Sequence, residues 1–184
     1  MPNQLSFKSR ISSIVFKNFL LNLKPKTLAK FTKFGRITSK NVDYIVEKEL
    51  KNSNNIKFFS FVNNELIAYS FLTKFEKPSK KHNCILGIVL VDTWQKKGFG
   101  KKICKHMIKT AWRKNFEKIW LTIYPDNVSA YNLYLDLGFE IEGIFLNDEK
   151  FRGTLKHKVS MAIFKKNFQN ESKRKSILKH LNLK

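Results

Sequence analysis

Val91-Asp92-Thr93-Trp94-Gln95-Lys96-Lys97-Gly98-Phe99-Gly100-Lys101-Lys102 is the stretch on which the reading of this chain turns. An apolar, strand-like run, residues 84–91, leads into it, and a helix-like run, residues 103–115, leads out. Glycines in such a junction let the backbone turn sharply and remove side chains that would block a ligand. The first turn of the helix leaves backbone N–H groups without partners, and the helix dipole favours an anion there. Lys96, Lys97, Lys101 and Lys102 add positive charge around the same point.

The spacing excludes two phosphate loops. A dinucleotide fingerprint needs G-x-G-x-x-G, and position 103 is Ile103. A nucleoside-triphosphate loop needs G-x-x-x-x-G-K-[ST], and no such run occurs. What stands here is Q-x-x-G-x-G after a strand. A second segment, Asn127-Val128-Ser129-Ala130-Tyr131-Asn132-Leu133-Tyr134-Leu135-Asp136-Leu137-Gly138-Phe139, follows the apolar strand of residues 119–124. Asp126 or Asn127 suits a helix cap. Ala130, Leu133, Tyr134 and Leu137 share one helical face, and Gly138 suits a left-handed terminus before the next strand.

The two segments in this order, about 30 residues apart with a helix and a strand between them, resemble the acyl-CoA-binding loop and the second signature of the GNAT (general N-acetyltransferase) superfamily. The resemblance is specific over residues 56–164 and loose before them. It implies an α/β (α+β) fold: a mixed, mostly antiparallel sheet with helices on both faces. It also implies acetyl transfer from acetyl-CoA to an amine by direct attack, with no metal. Backbone groups of Ile88, Val89, Leu90 and Val91 would pair with the pantetheine arm. Gln95, Lys96, Lys97, Gly98, Phe99, Gly100 and Lys101 would hold the diphosphate. Asn127 and Tyr131 would contact the cofactor, and Tyr134 would protonate the leaving thiolate.

The order of elements agrees with that fold. The pattern predicts a weak strand at residues 5–11, helices at 13–23 and 25–34 joined at Lys24-Pro25, and a third helix capped by Thr38 or Ser39 and running to Leu50. Strands at 58–62 and 66–75 flank Asn63-Asn64-Glu65, a hairpin signal. Residues 77–81 read as a polar loop. After the 84–91 strand and its helix come a strand at 118–124, a helix at 127–137, and an antiparallel pair at 139–145 and 157–164. That order gives one mixed sheet in one domain, residues 1–164, without repeats or linkers. Residues 165–184 form a basic tail with a candidate short helix at 175–183.

Composition bounds the function. The chain has 184 residues, enough for one well-buried core, and 17 Phe against 7 Gly point to a dense aromatic interior. The formal charge is +22, from 36 Lys+Arg and 14 Asp+Glu. Such charge attracts CoA, with its diphosphate and ribose phosphate, and repels a polycationic substrate. Nucleic acid is the weaker reading, because the charge is mostly lysine spread along the whole chain. Residues 1–42 contain no acid; helical patterning at Phe16, Phe19, Leu20, Leu23, Leu28 and Phe31 favours folded helices over an organelle leader. No apolar run approaches the length of a membrane span. Cys84 and Cys104 fit buried, inert thiols in a reducing, cytoplasmic setting.

The leading expectation is an N-acetyltransferase for a small-molecule amine, such as an amino sugar or amino acid, working as a monomer or homodimer. A protein lysine or N-terminal acetyltransferase is the alternative. A non-catalytic module binding acyl-CoA or nucleic acid is the third reading. Thr122 stands where relatives acting on ribosomal-protein termini usually carry Glu, which weakens that branch. The general base is open: His82, Glu65, Glu76, Asp92, Glu140, His157 or a water chain.

Overall fold

β-Branched, aromatic and leucine residues concentrate in seven segments, and each becomes a strand of one sheet. A computed structural model describes residues 4–151 and 153–165. The elements are β1 (Leu5–Lys8), α1 (Ser13–Leu21), α2 (Pro25–Lys30), α3 (Val42–Lys51), β2 (Asn55–Val62), β3 (Glu65–Lys74), β4 (Asn83–Leu90), α4 (Phe99–Arg113), β5 (Lys118–Ile123), α5 (Val128–Asp136), β6 (Glu140–Phe151) and β7 (Thr154–Phe164). Single 3₁₀ turns occupy Thr32–Phe34, Pro78–Lys80 and Asp92–Trp94. The sheet order is β1-β2-β3-β4-β5-β7-β6, the mixed sheet with helices expected from the sequence.

Every neighbouring pair is antiparallel except β4 and β5. Those two run parallel and pair only at Asn83↔Lys118, Cys84↔Ile119 and Ile85↔Trp120. Beyond Ile85 β4 keeps its β3 partners but has no register with β5. The sheet therefore opens at the C-terminal ends of its two central strands.

Helices cover both faces. On one, Ile103 and Met107 of α4 and Tyr134 of α5 share a core with Ile119, Leu121 and Met161. On the other, Phe16, Leu20 and Val46 from α1 and α3 pack with Phe59 and Tyr69. β2 and β3 lie between the layers, which is why their residues are buried almost without alternation. Gly87 is dictated by this packing: a Cβ there would lie 2.2 Å from Cζ of Phe71, its cross-strand partner. The β2–β3 turn places Asn63 and Asn64 at φ 48° and 64°, the left-handed pair that a tight hairpin requires.

Several boundaries differ from the sequence reading. α2 stops at Lys30 because Phe31 leaves helical space (φ −114°, ψ 82°), so residues 25–34 are a short helix and a 3₁₀ turn. Neither Thr38 nor Ser39 caps α3. Asn41 is the N-cap residue, and its side-chain oxygen accepts from Thr38 N (2.7 Å) and Thr38 Oγ1 (3.0 Å). β1 ends at Lys8 rather than 11, and α4 begins at Phe99, four residues earlier than expected. The last hairpin is much longer than residues 139–145 and 157–164. Ion pairs of Lys158 with Asp148 (3.3 Å) and Glu149 (2.8 Å) hold its charged outer half as strand rather than loop. The expected tail helix at 175–183 lies outside the described residues.

Both cysteines are buried, and burial pushes each thiol up to about 12, so neither ionises at neutral pH. His106 of α4 stacks on Phe7 at 3.9 Å and meets Phe58 edge-on at 5.6 Å, tying β1 and β2 to the helix. Burial first, then Arg113 and Lys109, lower its pKa below 6.5. The folded state thus binds this proton less readily than the unfolded chain. Stability is present above about pH 6.5 and is lost as pH falls through the depressed folded value. A His106→Phe variant should show a shallower loss of melting temperature between about pH 6.5 and 5 than the wild type. Parallel curves would remove His106 as a source of that dependence.

Candidate active site

The gap between β4 and β5 continues into a cleft of about 610 Å³. Ile88, Val89 and Leu90 of β4 form one wall. Next to them the chain makes the 3₁₀ turn Asp92–Trp94, passes Lys96 at φ 59° and Gly98 at φ 81°, and enters α4. Gly98 answers to this left-handed backbone and not to packing, since a Cβ there would meet nothing within 4 Å. The first α4 ladder bond runs from Lys102 N to Gly98 O (3.2 Å). The N–H groups of Phe99, Gly100 and Lys101 precede that bond and have no place in the helical ladder. A helix start with free donors beside a strand with a free edge fits an extended ligand carrying a diphosphate.

The side chains around this loop divide into roles that the sequence could not separate. Gln95 Nε2 donates to Leu90 O (3.0 Å) and Thr27 Oγ1 (3.3 Å), so it braces the loop against β4 and α2 while also lining the cleft. Phe99 is buried and edge-on to Trp94 at 5.2 Å; only its backbone is available. Lys97 Nζ sits over the Trp94 ring at 5.2 Å, and Lys101 Nζ pairs with Asp136 at 3.1 Å. Lys96, Gly98, Gly100 and Lys101 line the cleft; Val91, Lys97 and Phe99 are not among its described lining residues.

The opposite wall is the start of α5. Asn127 occupies the N-cap position, but its side chain makes no capping bond, and it lines the cleft with Ala130 and Leu133. The two roles considered for Asn127 are thus not both filled by its side chain. Tyr131 packs half-buried against the core instead of lining the cleft. Tyr134 is 5% exposed and lies behind the lining residues, with Phe139 at 5.3 Å. Burial, then Cys104, raises its pKa well above 10, so the phenol stays protonated at any working pH.

Of the six candidate bases, only Asp92 lines the cleft among the described residues, and its carboxylate is engaged. Oδ1 accepts from Thr27 Oγ1 (2.7 Å) and Oδ2 from Lys24 N (3.3 Å). Glu76 accepts from Asn54 Nδ2 (2.5 Å), and His157 Nδ1 accepts from Asn147 N (2.9 Å). Glu65 and His82 are exposed away from the cleft, and Glu140 also does not line it. The sequence reading missed the third wall: Lys26, Thr27, Lys30 and Phe31 from α2 and its C-terminus. The run Leu23 to Phe31 was its only signal. Asp126 is a further acid at the cleft.

The match of residues 27–139 to the acetyltransferase (GNAT) family covers more than half of the chain, and the protein belongs to that family. Over 104 residues it is 25% identical to the L-amino acid N-acetyltransferase AaaT of Escherichia coli K12, spanning 55% of this chain and 64% of that enzyme. The chain thus spans less than two thirds of that relative. The fold is shared with spermidine N-acetyltransferase from Vibrio cholerae in complex with CoA and spermine. There the TM-score is 0.75 at 18% identity, covering 91% of this chain and 99% of the other. It is also shared with the ribosomal-protein-S18-alanine N-acetyltransferase of Escherichia coli, with TM-score 0.66 at 15% identity, covering 88% and 94%. GNAT acetyltransferases use acetyl-CoA. No helix among the described residues is long and apolar enough to cross a membrane.

Proposed function

We propose that this protein moves an acetyl group from acetyl-CoA to the primary amine of a small molecule, with an amino acid or amino sugar as acceptor. The observation that carries this reading is one cleft containing both the unpaired edge of β4 and the start of α4. The β4 edge offers backbone groups to the amide-bearing pantetheine arm as a further strand would. The α4 N–H groups and Lys96 meet the diphosphate. An N–H at the bend after β4 stabilises negative charge developing on the thioester oxygen.

The amine attacks the thioester carbon directly; a C–N bond forms, the C–S bond breaks, and the thiolate takes a proton. Asn127 holds the pantetheine arm and Tyr134 supplies that proton. With Asp92 engaged elsewhere, the ammonium loses its proton through water or reaches the site already neutral. The +22 charge supports an acceptor that is not itself polycationic, and the match to an L-amino acid N-acetyltransferase supports an amino acid.

Binding of acetyl-CoA by calorimetry, followed by thiol release with amino acids, amino sugars, spermidine and short peptides, tests the reading. Micromolar binding and turnover with an amino acid or amino sugar are expected. Faster turnover with peptides would replace the acceptor class. Absence of acetyl-CoA binding would end the acetyltransferase reading.

A further inference from the structure

The α2 wall carries two lysines whose placement the reaction described above does not use. Lys26 and Lys30 are one helical turn apart, both exposed and both lining the cleft. Among the described residues neither has an ion-pair partner. Like charges at this spacing oppose each other, so the helix gains nothing from them by itself. Lys96 and Lys101 line the same cleft, and the acids there are Asp92 and Asp126.

α2 has only six residues and no side-chain cap of its own, so something else must hold it. Asp92 does so from the strand-to-helix junction. Its carboxylate accepts from the Lys24 N–H at the start of α2 and from the Thr27 hydroxyl. Gln95 then ties that hydroxyl to Leu90 O at the end of β4. The result is a latch linking α2 to the loop that faces the diphosphate. Thr27 lies between Lys26 and Lys30, so the latch fixes the stretch of helix from which both lysines extend.

We infer that α2 is a phosphate-selecting wall: Lys26 and Lys30 bind the ribose phosphate of the acyl donor, and Asp92 and Thr27 are positioning residues for them. The chemistry follows from charge. Backbone donors at α4 serve the diphosphate, but the ribose phosphate is a separate dianion and needs its own cations. Asp92, read from sequence as a candidate base, is an anchor for the helix instead. This inference rests on the acetyl-CoA reading above and specifies which part of the donor the third wall grips.

The test compares the dissociation constants of acetyl-CoA and acetyl-dephospho-CoA by calorimetry on the full chain. The wild type should prefer the phosphorylated donor on the order of tenfold. A Lys26→Ala/Lys30→Ala double variant should bring the ratio close to one. Thr27→Val should shrink the ratio in the same direction, and Thr27→Ser, which keeps the hydroxyl, should restore it. If α2 only braced the loop and touched no phosphate, these substitutions would weaken both donors alike and leave the ratio intact. That result, or a wild-type ratio near one, overturns the inference. So does an unchanged ratio together with a higher KM for carboxylate-bearing than for neutral amines, which would place the acceptor's anion on the wall. A wild type that binds neither donor sinks the acetyltransferase reading itself, so the two failures are distinguishable.

Discussion

A Tyr134→Phe variant should lose about 10²–10³-fold in kcat while binding acetyl-CoA with an affinity within about twofold of the wild type. The substitution removes one oxygen from a side chain that is 5% exposed, so packing against Phe139 and the α4 face is retained. What disappears is a proton donor. Burial keeps the phenol in its protonated form, so the donor is loaded when the thiolate departs, and the proton released by the acceptor amine restores the phenol. Because kcat and binding are read separately, a folding defect would be visible as lost affinity. Turnover of Tyr134→Phe at the wild-type rate would remove this residue as the acid.

The largest expected effect on stability lies at Glu49, buried on α3. This carboxylate is 5% exposed. It accepts from the Tyr69 hydroxyl and from Asn55 Nδ2 (2.6 Å), and pairs with Lys33 Nζ at 3.3 Å. Burial lowers the Lys33 pKa while Glu49 opposes that shift; burial and Glu49 together hold the Tyr69 phenol protonated. Glu49→Ala should cost about 3–5 kcal/mol, because it leaves a buried cation, a phenol O–H and an amide N–H without their shared acceptor. The check is the urea midpoint of Glu49→Ala, Lys33→Met and the double variant. If the single losses simply add, the pair is not coupled and the network is only packing.

That network reaches the cleft through aromatic contacts. Lys33 Nζ sits 3.8 Å from the centroid of Phe71, and Phe71 occupies the space that Gly87 leaves in β4. Phe71 also meets Phe31, a lining residue, at 6.2 Å. Loss of Glu49 should therefore loosen the α2 side of the cleft as well as the core.

The loop at 91–102 and the helix start at 127 were legible because both depend on local backbone chemistry. A glycine at positive φ, a strand ending in a turn, and a helix with free first-turn donors are all written within a dozen residues. The hairpin at Asn63-Asn64 was legible for the same reason. Residues 146–156 were not, because strand pairing there relies on ion pairs across the hairpin, such as Lys158 with Glu149, rather than on apolar alternation. The bracing contacts of Gln95 were not legible because its partners are a β4 carbonyl and a hydroxyl 68 residues away.

Sequence alone determined the family, the element order and the two segments that form the cleft's inner walls, since these follow from short-range spacing and turn chemistry. Tertiary structure alone decided that β4 and β5 part beyond Ile85, that α2 closes a third wall, and that Asp92 anchors it. It also decided that Glu49 would be buried among Lys33, Tyr69 and Asn55. These are long-range pairings, and a side chain's partner is chosen by which surfaces the fold brings together, not by its neighbours along the chain.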